Sequence, residues 1–307
     1  MMSYLAAAAF ALGISAPAVG CVPVQTRIDN AIESREGRIA RDLGDIVDSV
    51  YCVRTRTEYA LDGAPEGTPT VSQAGHGTAF AYGRRDGHVY LVTNAHVVDD
   101  PETFREVEMV PGPGGFAVVV NTYTKVGEHT YLVDNVSDDD PSDDIEVEEV
   151  AKDDALDIAV IRTDSDIHVA GSYVRETGMH AHLGEDVYVV GYPRGRFSAV
   201  TRGMVSHPDF VDEDGERLDV LDVTSTFGNS GSPYFVRRGG TLYWAGTMGK
   251  IMPYRGNSAT MFTLGTPLRL YSGLLDDVPA AAAPDAGDAG AGALPDSVPD
   301  DVSGGDE

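Results

Sequence analysis

The chain has 307 residues, 42 % of them hydrophobic and 23 % charged, enough for one or two domains whose cores need no disulfide staples. Its 49 acidic residues against 22 basic ones give a formal net charge of −27. A surface that negative repels phosphate backbones and anionic headgroups, which excludes nucleic acid and anionic lipid as partners.

Residues 1–24 contain the one long apolar stretch, Tyr4 to Val24, rich in alanine and ending in small residues. The pattern predicts an export signal, hence a periplasmic, envelope or extracellular protein. Pro17 and Pro23 make it a poor membrane-spanning helix. Ala18-Val19-Gly20-Cys21 resembles a bacterial lipoprotein cleavage site, with Cys21 as the lipidated residue. Such a lipid, or an uncut anchor, is the one membrane link expected. If Cys21 is lipidated, Cys52 is a lone buried thiol; if it is retained unmodified, a Cys21–Cys52 disulfide is open. Two unclustered cysteines cannot build a zinc site, and no metal is expected.

Residues 25–48 place Ile28, Ala31, Ile32, Ile39, Leu43, Ile46 and Val47 at helical spacing, predicting one amphipathic helix or two short ones. From Val50 the period changes to that of strands. β-rich runs fall at 50–57, 77–83, 88–93, 115–122, 130–136, 145–150 and 158–163, then at 186–190, 198–205, 219–223, 233–237, 242–248 and 259–264. Gly, Pro, Asp and Asn separate them, which indicates an all-β sandwich or barrel. The acidic run Ser137–Glu149 reads as a solvated hairpin, since its spacing fits no calcium loop. Asp212-Glu213-Asp214-Gly215 reads as a turn. The tail 274–307 has almost no large apolar residue beyond Val278 and is expected to be disordered.

Three segments carry the chemistry. Thr93-Asn94-Ala95-His96 ends a β-rich run at a tight corner that presents the ring of His96. Leu156-Asp157-Ile158-Ala159-Val160 sets an aspartate at the mouth of an aliphatic strand, where only strong hydrogen bonds make burial of its carboxylate tolerable. A histidine N–H is such a donor and would fix the ring's tautomer. Phe227-Gly228-Asn229-Ser230-Gly231 flanks a serine with glycines, which leaves the hydroxyl uncrowded and lets backbone N–H groups converge. Each segment alone reads equally as a core histidine, a turn aspartate or a loop serine. Their order does not: Asp157 follows His96 by 61 residues and Ser230 follows Asp157 by 73, the chain order His, Asp, Ser.

On these segments the sequence resembles the trypsin-like serine peptidases, and most closely their HtrA/Deg branch. Gly75-His76-Gly77-Thr78-Ala79-Phe80, Leu183–Pro193 and Ala199–Ser206 extend the resemblance over roughly residues 45–272. It implies two antiparallel six-stranded β-barrels, at about 49–165 and 180–272, within one peptidase domain at 49–273. It also implies a triad of His96, Asp157 and Ser230 and an oxyanion hole from the N–H groups of Gly228 and Ser230. Substrate would pair with the edge strand Tyr243–Gly249, giving Thr247, Met248 and Gly249 as binding residues, and Thr224 would stand at the base of the specificity pocket. A threonine there implies small or aliphatic side chains before the cut. Polypeptides are then the substrates and no cofactor is required. Phe227 stands where the family has Pro, and Ser232 where it has a second Gly, which leaves open whether the oxyanion hole is formed at rest. A non-catalytic double barrel that binds peptides at the envelope is the alternative; a binding module has no use for all three of His96, Asp157 and Ser230.

Overall fold

The computed structural model describes residues 24–112, 115–137, 141–252 and 262–277. The expected export signal with Cys21, and the expected tail beyond 277, lie outside them; residues 274–277, expected to begin the disordered tail, instead end a helix in which Leu275 is buried. A single helix α1 (Val24–Val47) leads into the first set of strands: β1 (Val50–Leu61), β2 (Val71–Arg85), β3 (His88–Thr93), β4 (Thr103–Gly112), β5 (Gly115–Val133), β6 (Ile145–Asp153) and β7 (Ile158–Thr163). A one-turn helix α2 (Ala95–Val98) sits between β3 and β4. The second set is β8 (Asp186–Gly191), β9 (Ala199–Val211), β10 (Arg217–Asp222), β11 (Pro233–Arg238), β12 (Thr241–Met252) and β13 (Phe262–Pro267), followed by α3 (Leu268–Asp277).

Both sets close into barrels of six antiparallel strands, as expected. In the first the order is β1-β2-β3-β7-β6-β5, with β5 returning to pair with β1 from Cys52↔Val133 to Leu61↔Tyr123. The second closes in the order β10-β13-β12-β11-β8-β9. Barrel closure leaves no edge within either ring. The exception is β4, which adds to β5 outside the ring and has a free edge.

The local structure differs from the sequence expectation at three places. β4 is a strand although Arg105, Glu106 and Glu108 interrupt its apolar residues; it pairs along its length with β5, and those three charged residues are exposed. β5 is one strand rather than two, since its inner half belongs to the barrel and its outer half pairs with β4. A third helix, α3, follows β13; Leu268, Tyr271 and Leu275 face inward at helical spacing. The acidic run passes through a single 3₁₀ turn, Pro141–Asp143, into β6, and Asp144 pairs with the buried Arg54. Cys52 is buried with a free thiol, and burial pushes its pKa up to about 12.

One apolar cluster holds the two barrels against each other. Phe80 and Val92 from the first barrel meet Phe235 and Trp244 from the second, with Ile39 and Ile46 of α1 and Tyr271 of α3 packed around them. The Phe80 ring lies edge-on to Trp244 at 5.1 Å and to Phe235 at 5.7 Å. Each of these buried rings contributes about 2–3 kcal/mol by leaving water, and each edge-on pair adds about 0.5–1.5 kcal/mol. Helix α1 also grips the segment that connects the barrels. The Asp45 carboxylate accepts from His168 Nε2 at 2.8 Å, from Gly171 N–H at 2.9 Å and from Ser172 N–H at 3.0 Å.

Candidate active site

His96 projects from α2, the single turn that follows β3. Ala95, Val97 and Val98 of that turn are buried, so His96 is the residue left facing outward, with about half its side chain exposed. Asp157 ends the turn before β7 and adopts φ = +53°. That left-handed conformation is uncommon outside glycine but accessible to aspartate, whose short side chain bonds locally. Asn94 Nδ2 donates to the Asp157 carbonyl at 2.7 Å and fixes the turn. The Asp157 carboxylate then receives two bonds from one residue: the His96 backbone N–H at 3.0 Å and His96 Nδ1 at 2.7 Å. With Nδ1 held as the donor, Nε2 is the nitrogen free to accept a proton.

Ser230 comes from the loop before β11, and the backbone of that loop admits only glycine on either side. Gly228 has φ = +95° and Gly231 φ = +86°. A Cβ on Gly228 would lie 2.4 Å from the Tyr192 carbonyl oxygen, and one on Gly231 would lie 1.9 Å from that of Thr78. The loop is braced from the other barrel. Thr78 N–H donates to the Ser230 carbonyl at 2.7 Å, and Thr78 Oγ1 donates to the Gly228 carbonyl at 2.7 Å while accepting Tyr192 N–H at 3.0 Å. Thr78 carries the loop; sequence reading missed it because a threonine in a β-rich run is ordinary.

The peptide joining Phe227 to Gly228 bears on the question its sequence left open. Arg194 N–H donates to the Phe227 carbonyl at 2.7 Å. In a trans peptide the carbonyl and the following N–H point in opposite directions, so this bond turns the Gly228 N–H away from Arg194. Among the described residues no acceptor takes the N–H of Gly228 or of Ser230. Arg194 itself sits at φ = +58° to make the bond.

His96 and Ser230 line one cavity of about 690 Å³. No hydrogen bond joins Ser230 to the His96 ring here. Phe227, Met248, Ile251 and Thr263 line its walls, and among the described residues no carboxylate does. Lys250 lines it too, already paired with Glu216. His76 is desolvated there, which lowers its pKa and favours the neutral ring. Of the residues expected along the edge strand, Met248 and Gly249 line the cavity. Thr247 is fully buried and bonds Tyr271 Oη at 2.7 Å. Lys250 and Ile251 extend the wall beyond where sequence reading stopped, because β12 bulges at Gly249, where the register against β13 slips between Met248 and Lys250. Thr224 lies in an adjoining cavity of about 130 Å³ that shares Ser225, Thr226 and Asn229 with the larger one.

The family described as trypsin-like peptidase domain matches residues 77–243, more than half of the chain and a span that includes His96, Asp157 and Ser230. Among solved structures, the chain is similar to an HtrA-type protease, AlgW, determined with a decapeptide. The TM-score is 0.52 at 18 % sequence identity, covering 78 % of this chain and 67 % of that one. At that identity the likeness speaks for the fold. No curated protein matches the chain. The double barrel and the family match agree, and the chain belongs to the trypsin-like peptidase domain family.

Proposed function

We propose that the protein is a serine endopeptidase in which Ser230 is the nucleophile, His96 the general base and Asp157 the residue that orients and charges-balances the ring. The observation that carries this reading is the pair of bonds from His96 to Asp157 beside a glycine-flanked serine in the same cavity. Ser230 Oγ attacks the peptide carbonyl as His96 Nε2 takes its proton, and the imidazolium formed is stabilised by the Asp157 carboxylate. The tetrahedral oxygen receives the N–H groups of Gly228 and Ser230; one such donor is worth about 2.7–4 kcal/mol of barrier. His96 then protonates the leaving amine, and water releases the acyl group by the same steps in reverse.

Substrate preference follows from the walls. A lysine or arginine side chain entering this cavity would shed its hydration and meet no carboxylate among the described residues, whereas an aliphatic side chain gains about 1.5–3 kcal/mol on burial. The expected cleavage is therefore after Val, Ala, Leu and similar residues. The test is labelling with a fluorophosphonate probe, comparing the native chain with Ser230→Ala. Labelling is expected in the first and absent in the second, with both melting at the same temperature; a labelled Ser230→Ala protein overturns the assignment.

A further inference from the structure

The ribbon made by β4 and the outer half of β5 has two faces with different fates. Residues directly opposed in an antiparallel pair share a face. On the inner face Phe104 opposes Tyr123 and Glu106 opposes Asn121. Phe104 stacks on Tyr123 at 4.6 Å, Tyr59 of the barrel meets Phe104 edge-on at 4.7 Å, and Tyr123 Oη donates to Glu106 Oε2 at 3.1 Å. Lys125, at the root, donates to Asp99 at 2.9 Å. The root is thus fixed to the first barrel.

On the outer face three successive rungs are apolar: Val107 opposite Val120, Met109 opposite Val118, and Pro111 opposite Phe116. Val107 is 65 % exposed, Met109 71 %, Phe116 77 %, Val118 64 % and Val120 53 %. A single exposed apolar residue is normal, but an unbroken patch on neighbouring rungs marks a binding surface.

We propose that the same face of a second copy of this chain covers the patch, giving a dimer through stacked ribbons. Area, symmetry and charge select that occupant. The exposed side chains amount to roughly 500 Å² per copy, so pairing two copies buries about 1,000 Å², the threshold for a specific association. A two-fold axis through the central rung, Met109 and Val118, stacks apolar rung on apolar rung at the usual sheet spacing and opposes no like charges within the patch. The net charge of −27 repels anionic lipid, and the patch has no carboxylate with which to hold a basic partner. Two copies also repel each other at a distance. Salt screens that repulsion over about 8 Å at physiological strength, so salt strengthens the dimer, the reverse of its effect on a charge-driven complex.

Sedimentation velocity on the full chain tests this, from about 1 to about 200 µM protein and in about 0.05 and 0.5 M salt. A monomer–dimer equilibrium that shifts toward dimer with salt is expected. Val118→Glu and Phe116→Glu are each expected to raise the dissociation constant about tenfold or more, since each sets two carboxylates into a dry contact. Glu108→Lys, on the opposite face beside Val119, is expected to leave it unchanged. Circular dichroism melts and fluorophosphonate labelling of each variant separate loss of the contact from loss of the fold or of the active site. A monomer under every condition, a dimer indifferent to Val118→Glu and Phe116→Glu, or a dimer dissolved by salt overturns the proposal. So does flotation of the native chain with phosphatidylcholine vesicles that the two variants lose, which would make the face a lipid contact.

Discussion

The two barrels supply their parts of the proposed active site in different ways. The first provides His96 and Asp157 as a finished pair, joined by two hydrogen bonds within one barrel and set by a left-handed aspartate that Asn94 holds. The second provides a serine loop held from both barrels: Gly231 N–H donates to the Met248 carbonyl of its own barrel at 2.8 Å. Two of its carbonyls, those of Gly228 and Ser230, are tied to Thr78 of the other barrel, and a third, that of Phe227, is tied to Arg194. The histidine and aspartate are a property of one barrel, while the serine loop depends on both.

Substitutions on the two sides should therefore fail differently. The largest expected effect is on the finished pair. Asp157→Asn keeps the shape but leaves the ring in the wrong tautomer, and kcat is expected to drop about 10⁴-fold with the fold intact. Steady-state hydrolysis of a peptide substrate checks this; a decrease under tenfold would assign the role to another carboxylate.

A smaller effect is expected at the interface brace. Thr78→Val removes the hydroxyl that donates to the Gly228 carbonyl and accepts the Tyr192 N–H, but spares the backbone bond to Ser230. Loosening one oxyanion donor without removing it should lower kcat about 10- to 100-fold with KM little changed. Fluorophosphonate labelling should slow in parallel. An unchanged kcat would show that the loop keeps its shape without help from the first barrel.

The smallest effect separates the barrels by stability rather than by rate. Asp219, buried in the second barrel, accepts from Tyr234 Oη at 2.8 Å and from Asp209 N–H at 3.1 Å, yet desolvation raises its pKa to about 6. A carboxyl whose folded value lies above its unfolded value stabilises the fold most when protonated. Its contribution is complete below about pH 4 and is lost as pH rises through about 6. Between those limits the native chain should lose about 1–2 kcal/mol relative to Asp219→Asn, a few degrees of melting temperature. Thermal melts of both proteins at matched pH values check the sign. Parallel pH profiles would show that Asp219 does not titrate there.

Much of this was legible in the sequence because the chemistry demanded unusual local patterns. Glycines at 228 and 231 announce a backbone that other residues refuse, and the β-branched runs around His96 and Asp157 announce strand ends. What escaped has the opposite character. Thr78 stands in a segment that carries the resemblance, but its role runs through bonds to residues more than a hundred positions away, which no local pattern shows. The wall residues Lys250 and Ile251 are placed by a bulge that strand periodicity does not show. The resemblance implied Thr224 at the base of the specificity pocket; it lines the cavity adjoining the one that holds His96 and Ser230. β4 joins the first barrel from outside, and the charged residues Arg105, Glu106 and Glu108 masked its strand character.

The grip of Asp45 on the inter-barrel segment has a mechanical consequence. Three donors, spaced along residues 168–172 of the connection, converge on one carboxylate of a helix that itself packs against both barrels. A connection clamped in this way cannot serve as a hinge, because opening the barrels like a jaw would have to unseat the helix and strip the carboxylate of all three partners together. Changes in the width of the cleft are left to its rim, chiefly to the serine loop and to the bulged end of β12.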